Sequence, residues 1–227
     1  MEVLIFAAVA LFIIALVLIG YLGSRARIKE LSAWADSKGF RFNPDRDHDM
    51  EDRYPDFSCL REGSARYAYN TIQGSQNGRG ICAFDYHYET YSHDSKGHRQ
   101  THHHHFSAVI ANTHLPLKPL FIRKEGFFDK ITEFFGMDDI DFESAEFSRN
   151  FYVKSPDKRW AYDVISQATM EFLMSAPTFS LQFQGNDIIA YRGSTFSVSD
   201  FEDAVNVIEG ILNRLPDYLL RELKGQN

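Results

Sequence analysis

The chain has 227 residues, 44% of them hydrophobic and 24% charged, with 24 Lys and Arg against 31 Asp and Glu. That length holds one ordinary domain or two small ones with a real core, and the charge fraction excludes wholesale disorder. A net charge of −7 leaves no electrostatic footprint for nucleic acid, and two cysteines cannot build a disulfide framework.

The apolar residues are unevenly spread. Residues 3–22, VLIFAAVALFIIALVLIGYL, carry no charge. Twenty helical residues span about 30 Å, the thickness of a bilayer's hydrocarbon core. A buried helix of a soluble protein would show a polar side, and this segment shows none. A cleaved signal peptide would need a positive n-region and a shorter apolar core. Here only Met1-Glu2 precedes the span, and Arg25 interrupts the small pair Ser24 and Ala26. The expectation is a retained anchor that meets the lipid bilayer through residues 3–22. Arg25, Arg27 and Lys29 follow the span and no cation precedes it, so the positive-inside rule puts the N-terminus outside and residues 24–227 in the cytoplasm. Cys59 and Cys82 agree with a reducing compartment. Without Glu2, the soluble part has a net charge of −6 rather than −7. The three cations read as topology determinants, since a lipid-binding cluster takes about 4–8.

Residues 25–37 read as a helix continuing the anchor, with Ile28, Leu31 and Ala35 on one face, Trp34 packed beside it and Gly39 as its stop. The organisation expected is an anchor at 1–23, a juxtamembrane helix at 24–39 and a cytosolic domain at 40–227. Asp45, Asp47, Asp49, Glu51 and Asp52 alternate like a calcium loop. Counting from Asp45, however, the sixth and twelfth positions hold Met50 and Asp56 instead of Gly and Glu. A short solvated helix is expected there.

From residue 65 to 113 the pattern is β. ARYAYNTI, the turn GSQNGRG, ICAFDYHYETY, a polar loop and THHHHFSAVIANT follow one another. Gly74, Gly78 and Gly80 lead into a strand rather than a helix, which excludes a phosphate loop. PLFIRK (119–124) reads as a strand. Residues 127–136 read as a short helix with Phe127, Ile131 and Phe134 inward and Gly136 as its stop. Asp138, Asp139, Asp141 and Glu143 form an acidic connector, with Ile140 and Phe142 as the inward alternates.

FYVKS is a strand, and Ser155-Pro156 looks like an N-cap with Pro at the first helical position. DKRWAYDVIS and ATMEFLMSA make one broken or two short helices. TFSLQF and DIIAYR are read as strands joined by a hairpin at Gln184-Gly185-Asn186. Ser199 is taken to cap a last long helix with Phe201, Val205, Ile208, Ile211 and Leu212 inward. A short helix follows Pro216. Elements come in runs rather than strict βαβ alternation, so the class is α+β, a single transmembrane helix followed by an antiparallel sheet with packed helices. A change of rhythm near residue 150 would admit a subdivision, but no Pro/Gly-rich linker forces one.

One feature stands out chemically. Seven of nine histidines lie between His87 and His105, namely His87, His93, His98 and the run His102 to His105. On a strand His102 and His104 share a face, and a third ligand from the neighbouring strand, His87 or Glu89, would complete a site for Zn²⁺ or another imidazole-loving metal. The register is open at this level, and one residue of slip exchanges the faces. The rival readings are a solvated hairpin end and a cluster that titrates near pH 6.5. There is no G-x-S-x-G, C-x-x-C, H-E-x-x-H, Walker or Rossmann pattern, so no catalytic residue is named. The aromatics, 20 Phe and 11 Tyr, read as core in this acidic chain.

DIDFESAEFSRNFYVKSPDKRWAYDVISQATMEFLMSAP, with ARYAYNTI…ICAFDYHYET before it and SLQFQGNDIIAYR after it, resembles a bacterial family of membrane-anchored proteins of unknown function. The likeness runs over roughly residues 55–215, centres on 140–176 and does not include the histidine run. It implies a bacterial inner-membrane protein and no catalytic residue or cofactor. The reading expected is therefore a single-pass protein whose cytosolic domain binds a protein partner or itself. The alternatives are a metal-binding domain built on the histidine hairpin, and a hydrolase with carboxylates in a cleft.

Overall fold

A single helix, α1 (Glu2–Lys38), carries the apolar segment into the domain without a break. The computed structural model describes residues 2–126 and 139–225, and at 2–5 and 7–10 the backbone alone. The helix expected over 127–136, and Asp138 of the acidic connector, lie outside the described residues. Ten large apolar side chains between Leu11 and Leu22 are each more than half exposed. Leu31, Trp34 and Ala35, farther along the same helix, are buried. Gly39 ends α1 at φ +68°, with Phe40 N–H donating to the Ala35 carbonyl at 2.9 Å and Gly39 N–H to that of Asp36 at 3.1 Å. These two bonds form a Schellman motif, and the left-handed residue it needs is best supplied by glycine.

The strands are β1 (Arg41–Asn43), β2 (Ser64–Gln76), β3 (Arg79–His93), β4 (Arg99–Lys124), β5 (Phe151–Lys154) and β6 (Ser180–Arg192). All pair antiparallel in one sheet, in the order β1-β2-β3-β4-β5, with β6 along the other side of β4. Asn77 and Gly78, at φ +53° and +77°, join β2 to β3 in the two-residue turn that matches strand twist. The other helices are α2 (Met50–Arg53), α3 (Ala145–Asn150), α4 (Lys158–Val164), α5 (Gln167–Ser175), α6 (Val198–Leu212) and α7 (Asp217–Leu223), making seven among the described residues.

Alternation along the strands builds two cores. Ile81, Ala83, Val109, Ala111, Ile188 and Ala190 face the helices, where they join Trp34, Trp160, Phe201 and Ile208. Cys82, Phe84, Tyr86, Phe106 and Ile189 face the other way, under Met50, Phe57, Cys59 and Leu60. All five residues expected on the inner face of α6 are buried.

Several local expectations are corrected. The segment read as a solvated helix is one turn, α2, and it drives Met50 wholly into the second core. PLFIRK is the far half of β4, bent at two register shifts rather than separate. Gln184-Gly185-Asn186 is no hairpin, because both halves of β6 pair with β4 and the two strands bend together there. The N-cap of α4 is Asp157, whose side chain accepts from Trp160 N–H, not Ser155. The N-cap of α6 is Ser197, in a capping box with Asp200, not Ser199. Asp139 is not merely solvated, since its Oδ1 accepts from Val153 N–H at 2.7 Å and Ile140 N–H at 3.0 Å. Burial raises its carboxyl above the usual range.

Candidate functional site

The β3–β4 hairpin projects the histidines, and its register decides which of them meet. His87 lies opposite His105, Tyr88 opposite His104, Glu89 opposite His103 and Thr90 opposite His102. The five-residue loop Asp94–His98 is odd in length, so odd-numbered residues pair with odd. Asp94 shapes it by accepting from Lys96 N–H at 2.8 Å and His98 N–H at 2.9 Å, with Gly97 at φ +82°. Of the expected ligand set, His87 and Glu89 therefore share one face, and His102 and His104 occupy the other. His104 stacks on Tyr88 with ring centroids 4.6 Å apart, and its Nε2 lies 2.7 Å from the Thr90 hydroxyl. His102 Nε2 lies 2.6 Å from the Ser92 hydroxyl. Neither converges with His87 and Glu89.

The residues that do converge are His87, Glu89 and His103, whose ligand atoms all lie within 4.8 Å of one another. His87 Nε2 is 3.1 Å from His103 Nδ1, which is 3.4 Å from Glu89 Oε1. His87 is buried and stacks on Tyr67, while His103 is open to solvent. His87 Nδ1 faces the Ala65 carbonyl at 3.1 Å, so Nδ1 carries the proton and Nε2 presents its lone pair to the cluster. That carbonyl is aimed by a β-bulge, where Ala65 adopts φ +50° between register positions Ser64 and Tyr67. Glu89 is held as well, because the Tyr91 hydroxyl donates to Oε2 at 3.0 Å and the Ser64 hydroxyl donates to Tyr91 at 3.0 Å. His105 borders the group, with its ring 4.8 Å from that of His87 and its Nδ1 3.1 Å from the Tyr69 hydroxyl. Desolvation, then the neighbouring imidazoles of His87 and His103, lower its pKa below the usual value.

Two residues farther down the same face of β3 sits Asp85, 1% exposed. Arg27 of α1 grips it with two parallel bonds, Nη2 to Oδ1 at 2.7 Å and Nε to Oδ2 at 3.2 Å. Asn70 Nδ2 at 2.9 Å and the Ser107 hydroxyl at 2.5 Å complete its shell. Arg27 also donates to the Phe196 carbonyl. Arg27 is thus a structural lock rather than a bare topology determinant. The sequence marks Arg27 only as a topology determinant and His103 only as part of the histidine run, although Asp85 inside an apolar strand signals a buried carboxylate that needs donors around it.

No family model matches the chain, and no curated protein matches it significantly. Among solved structures, the crystal structure of the mycobacterial trehalose monomycolate transport factor A, TtfA, is similar. The TM-score is 0.62 at 14% identity, over 83% of this chain and 96% of that one. The two share a fold.

Two open cavities bear on the expected carboxylate-lined cleft. One of about 490 Å³ is lined by Arg41, Asp47, Arg53 and Gln73 among others, and there Asp47 and Arg53 neutralise each other. Another, of about 440 Å³, is lined by Glu143, Glu146 and Glu171 together with Met170 and Met174 among others. Asp139 and Asp187, the described carboxyls that burial pushes up, line neither. Burial pushes the Cys82 thiol up to about 11, which suits a core residue and not a nucleophile.

Proposed function

We propose that the chain is a single-pass protein of the bacterial inner membrane, with its N-terminus outside, whose cytoplasmic α+β domain docks a protein partner or a second copy of itself without catalysis. The observation that carries this reading is the continuity of α1. One helix exposes Leu11 to Leu22 and buries Leu31, Trp34 and Ala35 in the domain core. A helix exposing so much contiguous apolar surface needs a bilayer around it. Arg27 follows Leu22 by about 7.5 Å along the helix axis, so the domain sits close to the headgroups with no linker between. Arg25, Arg27 and Lys29 favour the cytoplasmic side for the domain.

The resemblance of residues 140–176 to bacterial membrane-anchored proteins supports the setting. The fold shared with a transport factor favours an accessory part beside membrane machinery over an enzymatic one. Two experiments test the reading. A C-terminal green-fluorescent fusion should fluoresce and a C-terminal alkaline-phosphatase fusion should be inactive, and the opposite pattern overturns the orientation. Cross-linking in intact cells, followed by purification from solubilised membranes, should return a stoichiometric partner or a dimer. Repeated recovery of the bare monomer overturns the docking role.

A further inference from the structure

We infer that His87, Glu89 and His103 form a binding site for a divalent transition metal of the Zn²⁺ class, reached from the solvent side of the β3–β4 hairpin. Two imidazole nitrogens with one carboxylate oxygen suit Zn²⁺ or Co²⁺ and not Ca²⁺ or Mg²⁺, which take oxygen sets. The spacing fits as well. Metal–ligand bonds of about 2.0–2.1 Å in a tetrahedron put neighbouring ligand atoms about 3.3–3.4 Å apart. Two of the three separations seen here are 3.1 and 3.4 Å, and the third, between His87 and Glu89, is within 4.8 Å.

The groups that orient two of the ligands are already in place, which sets this cluster apart from a solvated histidine tract. The Ala65 carbonyl fixes the His87 tautomer, and the Tyr91 hydroxyl occupies the outer oxygen of Glu89. Without metal, His103 Nδ1–H donates to His87 Nε2. Metal binding through Nδ1 takes His103 in its other neutral tautomer, with that proton moved by way of solvent to the exposed Nε2, and affinity falls on acidification because a protonated imidazole has no lone pair to give. Three protein ligands leave the fourth position open for water or for a donor from outside the chain. The site lies on the face of β3 that carries the Arg27–Asp85 lock, two and four residues beyond Asp85, so occupancy would stiffen the hairpin from the α1 side.

The test uses the full-length protein in detergent, purified without a polyhistidine tag, stripped with chelator and titrated with Co²⁺ and then Zn²⁺. One equivalent of Co²⁺ should bind with the intense visible absorption of a tetrahedral site, and Zn²⁺ should bleach it. His103→Ala and Glu89→Gln change solvent-accessible side chains and should each weaken binding by at least about 100-fold with unchanged circular dichroism. His102→Ala/His104→Ala should stay within about threefold of the parent, because those rings face away. Absence of stoichiometric Co²⁺ in the parent overturns the inference. So does equal loss in the His102/His104 variant, which would mark adventitious chelation by the histidine run.

Discussion

Asp85 is a buried carboxylate that survives folding because four donor contacts, two of them from the Arg27 guanidinium, replace its water. Removing one partner of such a pair costs about 3–5 kcal/mol, so Asp85→Ala and Arg27→Met should each lower the unfolding midpoint of the solubilised protein sharply. The double variant should cost less than the sum of the singles, and simple additivity would show that the two side chains act independently. Gly63 makes a different demand. It sits at φ +63°, and a Cβ there would overlap the Glu89 carbonyl oxygen and press on Tyr88. Gly63→Ala should therefore destabilise by roughly 1–3 kcal/mol, read from denaturant melts. His105 adds a pH dependence. Its folded pKa lies below the unfolded 6.5, held down by partial burial and by His87, His103 and His104, against the opposing pull of Asp85. The unfolded chain then binds the extra proton first, so this contribution is complete above pH 6.5 and fades as pH falls below it. In chelator, thermal midpoints should drop between pH 7 and 5, and less steeply for His105→Gln.

At the scale of elements, the caps give a sharp comparison. Ser197 Oγ accepts from Asp200 N–H, and the Asp200 carboxylate accepts in return from Ser197 N–H at 2.8 Å. Ser197→Ala should cost about 1 kcal/mol, whereas Ser199→Ala, inside the first turn and exposed, should be nearly neutral. A thermal-shift comparison of the two decides which serine starts α6. Both serines precede an apolar face of helical period, so the sequence alone allowed either start. Each serine has an acid three residues on, Asp200 after Ser197 and Glu202 after Ser199, and the fold chooses between them, since Glu202 instead meets Trp34 and Lys38 of α1. The β3–β4 hairpin shows the other limit. Both strands were legible from their β-branched and aromatic content, but the pairing of His87 with His105 rests on whether the loop holds an odd or even number of residues.

For the whole molecule, α1 is at once a helix long and apolar enough to cross a membrane and a part of the core. A chain starting at Gly23 should leave the membrane and remain folded, since Arg27, Leu31, Trp34 and Ala35 are kept. A chain starting at Gly39 loses all four, and with them several buried side chains each contributing about 1.5–3 kcal/mol. It should aggregate or unfold, which size-exclusion chromatography and circular dichroism would reveal. A stable, soluble second fragment would mean that the helix is an appendage.

The sequence by itself determined what depends on local order. An uncharged run of twenty residues, Gly39 after an amphipathic stretch, Asn77-Gly78 between β segments and the inner face of α6 each need only neighbours within a turn or two. Periodicity and backbone chirality settle such features before any tertiary contact forms. Tertiary structure decided what depends on distant partners. Gly185 interrupts nothing because β4 supplies hydrogen bonds on both sides of it and bends in step. Arg27 became a lock because the fold brings Asp85, 58 positions away, against it. His103 rather than His102 or His104 joined His87 and Glu89 because strand side chains alternate, so register alone selects which imidazoles can share an ion.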